Sequence, residues 1–221
     1  MELKGKKALF LGDSITEGVG TSSPEHIYLN VLKEKYGMAQ CVNYGISGSR
    51  IARCAGLPIS ELTAYNEDFC LRLERMEPDA DLVVVFGGTN DFGHGNAPIG
   101  TPQDRTPDTF WGACHYLMEG LMTKYPRAQI VFMTPLHREW EDAASAENKN
   151  ELNSVDLCAY REILMEAARY YAIPVLDLYS ISGIQPQVAA NRELYLPDGL
   201  HPSDAGNARI ANLLGNFLQQ L

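Results

Sequence analysis

The sequence predicts a single α/β domain over residues 1–221, a three-layer α/β/α sandwich around a five-stranded parallel sheet. Three observations predict it: five short apolar runs have strand character, helical patterns lie between them, and the connections leaving the strands' carboxyl ends are long. Short apolar runs bounded by turns fit strands buried on both faces. Alternation of strand and helix lays each right-handed crossover back on a parallel sheet. For five strands the expected order is the flavodoxin-like 2-1-3-4-5.

The strands are read at Lys7 to Leu11, Gln40 to Tyr44, Leu82 to Phe86, Gln129 to Thr134 and Pro174 to Leu178, the second being the weakest. Ser23-Pro24 places a cap residue before a proline at a helix start, and Gly37 ends that helix. A second helix is expected near Thr63 to Met76. Thr106-Pro107 repeats the start signal before Asp108 to Lys124. A further helix carries Leu157, Tyr160, Leu164, Ala167 and Tyr171 on one face. The last follows a Ser203 cap and carries Ile210, Leu213, Leu214, Phe217 and Leu221. The connections Gly87 to Thr106, Pro135 to Asn153 and Tyr179 to Pro202 exceed the roughly 12–15 residues beyond which a loop in a compact domain is usually functional.

Composition narrows the function. A chain of 221 residues can bury roughly 70% of its unfolded surface in one core. Twenty-eight acidic against 18 basic residues give a net charge of -10, which repels phosphate backbones and anionic membranes, so no nucleic-acid or membrane partner is expected. The apolar run after Lys4-Gly5-Lys6-Lys7 is too short for a secretory signal, and no run approaches a bilayer span, which points to a cytoplasmic protein. The five cysteines, at 41, 54, 70, 114 and 158, are scattered and form no Cys-x-x-Cys pair, which fits reduced thiols. No metal-ligand spacing is present and no cofactor is expected. Oligomeric state is not encoded in any readable pattern.

The first strand runs into Gly12-Asp13-Ser14-Ile15-Thr16-Glu17-Gly18-Val19-Gly20. A P-loop needs a lysine after its second glycine, and none follows Gly18. A Rossmann fingerprint needs a third glycine where Ser23 stands. A serine nucleophile needs a hydroxyl on a tight turn at a strand's carboxyl end, a base, and oxyanion donors. Ser14 supplies the hydroxyl, without the Gly-x-Ser-x-Gly elbow of lipases. By itself Asp13-Ser14 is equally a helix cap.

Three later turns supply partners. Asn43 to Ser49 follows the second strand, with Gly48 able to bring its backbone N–H close to a ligand. Gly87-Gly88-Thr89-Asn90-Asp91 follows the third, where an Asn can aim its amide across a crevice. Asp198-Gly199-Leu200-His201 places a carboxylate three residues before an imidazole. In the order 2-1-3 the first three turns meet at the topological switch point, where α/β sheets bind ligands. The fifth strand lies three strands from the first, roughly 14 Å away, so the long final connection must carry His201 back.

These blocks, in this order, closely resemble the GDSL esterase family, also called SGNH hydrolases. The resemblance runs from residue 8 past residue 202. It implies the SGNH hydrolase fold, with Ser14 as nucleophile, His201 as general base and Asp198 as its orienting carboxylate. It implies an oxyanion hole from the amides of Ser14 and Gly48 and the Asn90 side chain. Many members carry Asp or Asn with Thr after Gly48, where this chain has Ser49-Arg50, so the polar lining there differs. The long loops are polar, with His94, Gln103, Asp104 and Arg105 in one and His137, Arg138, Trp140, Glu141 and Asp142 in another. That favours a short-chain, acetyl-like ester, as on a carbohydrate, with Asp13, Arg50, Asp91 and Trp140 as candidate substrate contacts. The same fold also serves lysophospholipases, thioesterases, acyltransferases and silent binding modules. His26 and His115 are expected to be structural.

Overall fold

The computed structural model describes the chain except residues 57, 62, 64, 65 and 143–154. In chain order its elements are β1 (Lys7–Gly12), α1 (Ser14–Glu17), α2 (Tyr28–Tyr36), β2 (Gln40–Gly45), α3 (Phe69–Leu73), β3 (Leu82–Phe86), α4 (Thr89–Gly93), α5 (Phe110–Lys124), β4 (Gln129–Met133), α6 (Leu157–Tyr170), β5 (Val175–Leu176), α7 (Leu178–Ile181), α8 (Ala189–Tyr195) and α9 (Asp204–Gln220). The strands form one parallel sheet in the order β2-β1-β3-β4-β5, as the alternation predicts.

Successive strand residues face opposite sides, and this chain fills both. Leu9, Leu11, Val83, Val85 and Phe132 pack with Phe69 and Leu73 of α3, Phe110 and Leu117 of α5, and Tyr160 and Leu164 of α6. Ala8, Phe10, Val84, Phe86 and Met133 pack with Tyr28 and Leu32 of α2 and Ile210 and Leu214 of α9. Fully burying a Leu or Phe side chain contributes about 1.5–3 kcal/mol. This packing, rather than propensity, holds helices as short as the four residues of α1 and the five of α3.

Several expectations shift in detail. Pro24–His26 forms a 3-10 turn, Ile27 is extended, and α2 starts only at Tyr28, so Ser23 caps no α-helix. The helix expected near Thr63 to Met76 is the single turn-and-a-half of α3, capped by Asp68, and residues 64 and 65 lie outside the described residues. Thr109, whose hydroxyl accepts from the Gly112 amide, caps α5 in place of the Thr106-Pro107 pair. At the sheet edge β5 has only β4 as neighbour and keeps two residues. It ends because Asp177 turns to Arg161 and the Thr134 hydroxyl, and Leu178 opens α7. Leu221 is exposed rather than packed, while Ser203 caps α9 as expected. The connection after β5 holds α7 and α8, and residues 143–153 of the connection after β4 lie outside the described residues. All five cysteines are free. No helix among the described residues is long and apolar enough to cross a membrane.

Candidate active site

The β1 strand delivers Asp13 and Ser14 to the start of α1. Asp13 is the N-cap, its carboxylate accepting the Ile15 N–H at 3.0 Å. Ser14 is the first residue of α1, and the opening amides of a helix have no intrahelical acceptor. Its N–H is thereby left for an external oxygen. The Ser14 side chain lies 3.0 Å from His201 Nε2, and His201 Nδ1 lies 2.7 Å from Asp198 Oδ2. The other Asp198 oxygen accepts the backbone N–H groups of Leu200 and His201 at 2.9 and 2.7 Å. Burial opposes its ionisation, yet the hydrogen bonds from His201 and the Leu200 amide hold the Asp198 carboxyl at about 2. A carboxylate at Nδ1 keeps the proton there and turns the Nε2 lone pair to the Ser14 hydroxyl.

The neighbouring strands bring the expected oxyanion donors to the same end of the sheet. After β2 the chain turns through Gly48 at φ 75°, a left-handed conformation that a side chain would strain. Ser47 donates its N–H and hydroxyl to Glu17 at the end of α1, which fastens the Gly48 turn to the nucleophile helix. After β3, Gly88 caps α4 and Asn90 sits in its first turn, 5% exposed. Asn90 Nδ2 donates one hydrogen to the Ser49 carbonyl at 3.0 Å. A primary amide carries a second hydrogen for an incoming ligand.

Of the residues expected to touch substrate, three are buried to the same degree as Ser14 and Asn90 and engage protein groups. Asp13, Arg50 and Asp91 are 2, 6 and 3% exposed. Asp13 caps α1, Arg50 donates to Asn66 and faces His94, and Asp91 accepts the Ile51 and Ala52 amides at 3.0 and 2.8 Å. A short carboxylate between two buried backbone donors is drawn inward because those amides would otherwise lack partners. Burial pushes the carboxyl of Asp13 up to about 7 and that of Asp91 to about 6, against the pull of these amides. Trp140 is 39% exposed on the loop after β4. His115 is buried between Trp111 and Tyr171, and His26 bonds Ser22 and Asp204.

Sequence reasoning passed over the groups that carry His201 back across the sheet. Asn207, fully buried on α9, accepts the Tyr28 N–H at 3.0 Å and donates to the carbonyls of Pro202 and Ser203 at 2.9 and 3.1 Å. Gly20 has φ 93°, and a Cβ there would lie 3.0 Å from His201 Cβ and 2.8 Å from the Pro202 oxygen. The late glycine of the first turn thus lets that turn lie against the histidine loop. Asn207 had one signal, a polar residue three and seven positions before Ile210 and Leu214 in the apolar stripe of its helix. Arg138 likewise reaches α4, its Nη1 donating to the Thr89 carbonyl at 3.1 Å.

Residues 10–209 match the model of the GDSL-like lipase/acylhydrolase family. A solved protein from Lactobacillus plantarum is 30% identical, covers 98% of each chain and superposes with a TM-score of 0.83. The lipase/acylhydrolase from Enterococcus faecalis is 19% identical over 97% of this chain and 96% of its own, with a TM-score of 0.66. An acetyl xylan esterase, AlAXEase, is 21% identical over 96% and 99%, with a TM-score of 0.64. The last two share the fold. No curated protein matches the chain.

Proposed function

The chain belongs to the GDSL-like lipase/acylhydrolase family, and from that premise we propose that it is a serine esterase removing short, acetyl-like acyl groups from a polar alcohol such as a sugar. The observation that carries the proposal is the continuous line from Asp198 to His201 to Ser14, at 2.7 and 3.0 Å. Ser14 Oγ attacks the ester carbonyl as its proton passes to His201 Nε2, and Asp198 steadies the resulting imidazolium. The oxyanion is held by the N–H groups of Ser14 and Gly48 and by Asn90 Nδ2. His201 returns the proton to the leaving alcohol, and the acyl group stays on Ser14. Water then repeats the sequence on the acyl-enzyme and frees the acid.

The acyl preference rests on the loops. Polar groups of the connection after β4 border the site: Arg138 donates to the Thr89 carbonyl beside Asn90, and the Glu139 N–H donates to the Gly199 carbonyl between Asp198 and His201. Such a rim suits a hydroxyl-bearing alcohol more than a long acyl chain. The structural neighbour named as an acetyl xylan esterase accords with this. A panel of p-nitrophenyl esters and acetylated sugars, with Ser14→Ala as blank, tests it. The expected result is turnover of C2–C4 esters and sugar acetates that disappears in the blank. A preference for C8 or longer chains would instead support the lysophospholipase or thioesterase reading, and product esters formed with added alcohols would support acyl transfer.

A further inference from the structure

Arg72 is a buried arginine on α3, a helix that bears none of the residues assigned above, yet its guanidinium ends among the turns that bear them. It is 5% exposed. Nη1 donates to the Gly12 carbonyl at 3.1 Å and to Ser49 Oγ at 2.8 Å, and Nη2 donates to the Tyr44 carbonyl. Gly12 is the last residue of β1, two before Ser14. Tyr44 lies at the end of β2, and Ser49 directly follows Gly48.

The connections continue from these three acceptors to each oxyanion donor. The Gly12 carbonyl also accepts the Ile46 N–H at 3.2 Å, so nucleophile turn and second turn share one oxygen beside the guanidinium. Ser49 Oγ donates to the Ile46 carbonyl at 2.6 Å, and the Ser49 carbonyl accepts Asn90 Nδ2 at 3.0 Å. Ser49 is thus held at its hydroxyl by Arg72 and at its carbonyl by Asn90, with Gly48 next to it in the chain. Asp68 accepts the Leu71 N–H, and the Phe69 N–H donates to the Arg50 carbonyl at 2.8 Å, which set α3 in place. The guanidinium also lies 5.2 Å from the Phe69 ring centre, a favourable contact for a cation on an aromatic face.

We propose that Arg72 is a positioning residue that holds the Ser14, Gly48 and Asn90 donors in mutual register. The proposal rests on the esterase reading of the site above. A planar guanidinium fixes its donors at two separate nitrogens on these three acceptors, whereas a lysine ammonium presents its hydrogens from one point on a flexible stem and would hold the turns less firmly. The burial that lowers this guanidinium to about 10 still leaves it charged at neutral pH. Oxyanion stabilisation depends on donors fixed before the charge forms. Loosening them lowers turnover more than it lowers ground-state binding.

The test uses Arg72→Lys, Arg72→Met and Ser49→Ala, with exposed Arg75→Met as control and Ser14→Ala as blank. Each is assayed for kcat and KM on p-nitrophenyl acetate, for thermal midpoint, and for the fraction of molecules labelled by a fluorophosphonate at saturation. Arg72→Lys should lose about 10–100-fold in kcat, a fraction of what deleting one oxyanion donor costs. Its KM should stay within about twofold and its labelled fraction near complete. Ser49→Ala keeps the guanidinium on Gly12 and Tyr44 and should lose less. Arg75→Met should match the wild type. Wild-type kcat per labelled molecule in both Arg72→Lys and Ser49→Ala would overturn the proposal, as would a fall in kcat matched by the labelled fraction, the mark of a purely structural role. If Arg72→Met does not fold, the lysine and alanine variants still decide. Activity persisting in Ser14→Ala would overturn the esterase reading itself, an outcome separate from these.

Discussion

His201 Nε2 lies 3.0 Å from Ser14 Oγ although 187 residues separate the two in the chain. That single contact joins the end of β1 to the loop before α9, and the proposed chemistry passes through it. Ser14→Ala and His201→Ala should therefore each lower kcat by about 10⁴-fold or more, with the double variant no worse than either single one, because the residues act as a unit. Steady-state kinetics on a short-chain p-nitrophenyl ester give the comparison. Losses that multiply in the double variant would mean that the two side chains act independently.

The strands and their order were legible because each face of the sheet is covered, which turns every inner strand into a short apolar run. The edge strands were less so. β2 has no fully buried residue, and β5 stops after two because Asp177 finds Arg161 and Thr134. The serine, glycine, asparagine and histidine of the site stood out because each lies in a turn at a strand's end or in the final loop, in an order that the fold makes meet. Arg72 and Asn207 did not stand out. Most of their partners are backbone groups, the Gly12 and Tyr44 carbonyls for Arg72 and the Tyr28 N–H with the Pro202 and Ser203 carbonyls for Asn207, and a backbone group leaves no mark on a sequence. The fold contacts of Asp13, Arg50 and Asp91 were hidden for a related reason: their partners are buried amides and an Asn66 oxygen that only the fold brings to them.

Gly20→Ala should injure catalysis more than folding. A Cβ at φ 93° is strained by about 1–3 kcal/mol, and this one would press on His201 Cβ at 3.0 Å and the Pro202 oxygen at 2.8 Å. The backbone of the exposed first turn can relax, while the imidazole has only one productive position. A drop of at least about tenfold in kcat, with a thermal midpoint lowered by only a few degrees, is expected. Wild-type kcat with a lowered midpoint would show that His201 tolerates the push.

Asn207→Ala removes an amide that is fully buried and serves three backbone groups. The Tyr28 N–H and the Pro202 carbonyl would lose their partner away from water, at about 1–3 kcal/mol for each unsatisfied group. Urea unfolding should show a loss of at least about 2 kcal/mol. Amide exchange at Tyr28 should accelerate with it, because α2 would no longer be tied to the histidine loop. A change below about 0.5 kcal/mol would mean that water or a shifted side chain replaces the bridge.

Asp13→Asn tests the buried charge beneath the nucleophile. Burial raises the Asp13 carboxyl from the ordinary 3.8 to about 7. Between those values the folded protein holds a proton that the unfolded chain has released, so this group's contribution to stability falls as pH rises through the window. Asparagine keeps an oxygen for the Ile15 N–H, since it caps a helix as well as aspartate does, and it carries no charge to bury. The midpoint of the variant minus that of the wild type should therefore increase from pH 4 to pH 8, by on the order of 5 °C. Asp91, raised in the same direction to about 6, is present in both proteins, and its charge is one of the groups that push Asp13 up. A difference that stays flat across this range would mean that Asp13 is ionised throughout and balanced by nearby cations, Arg72 among them.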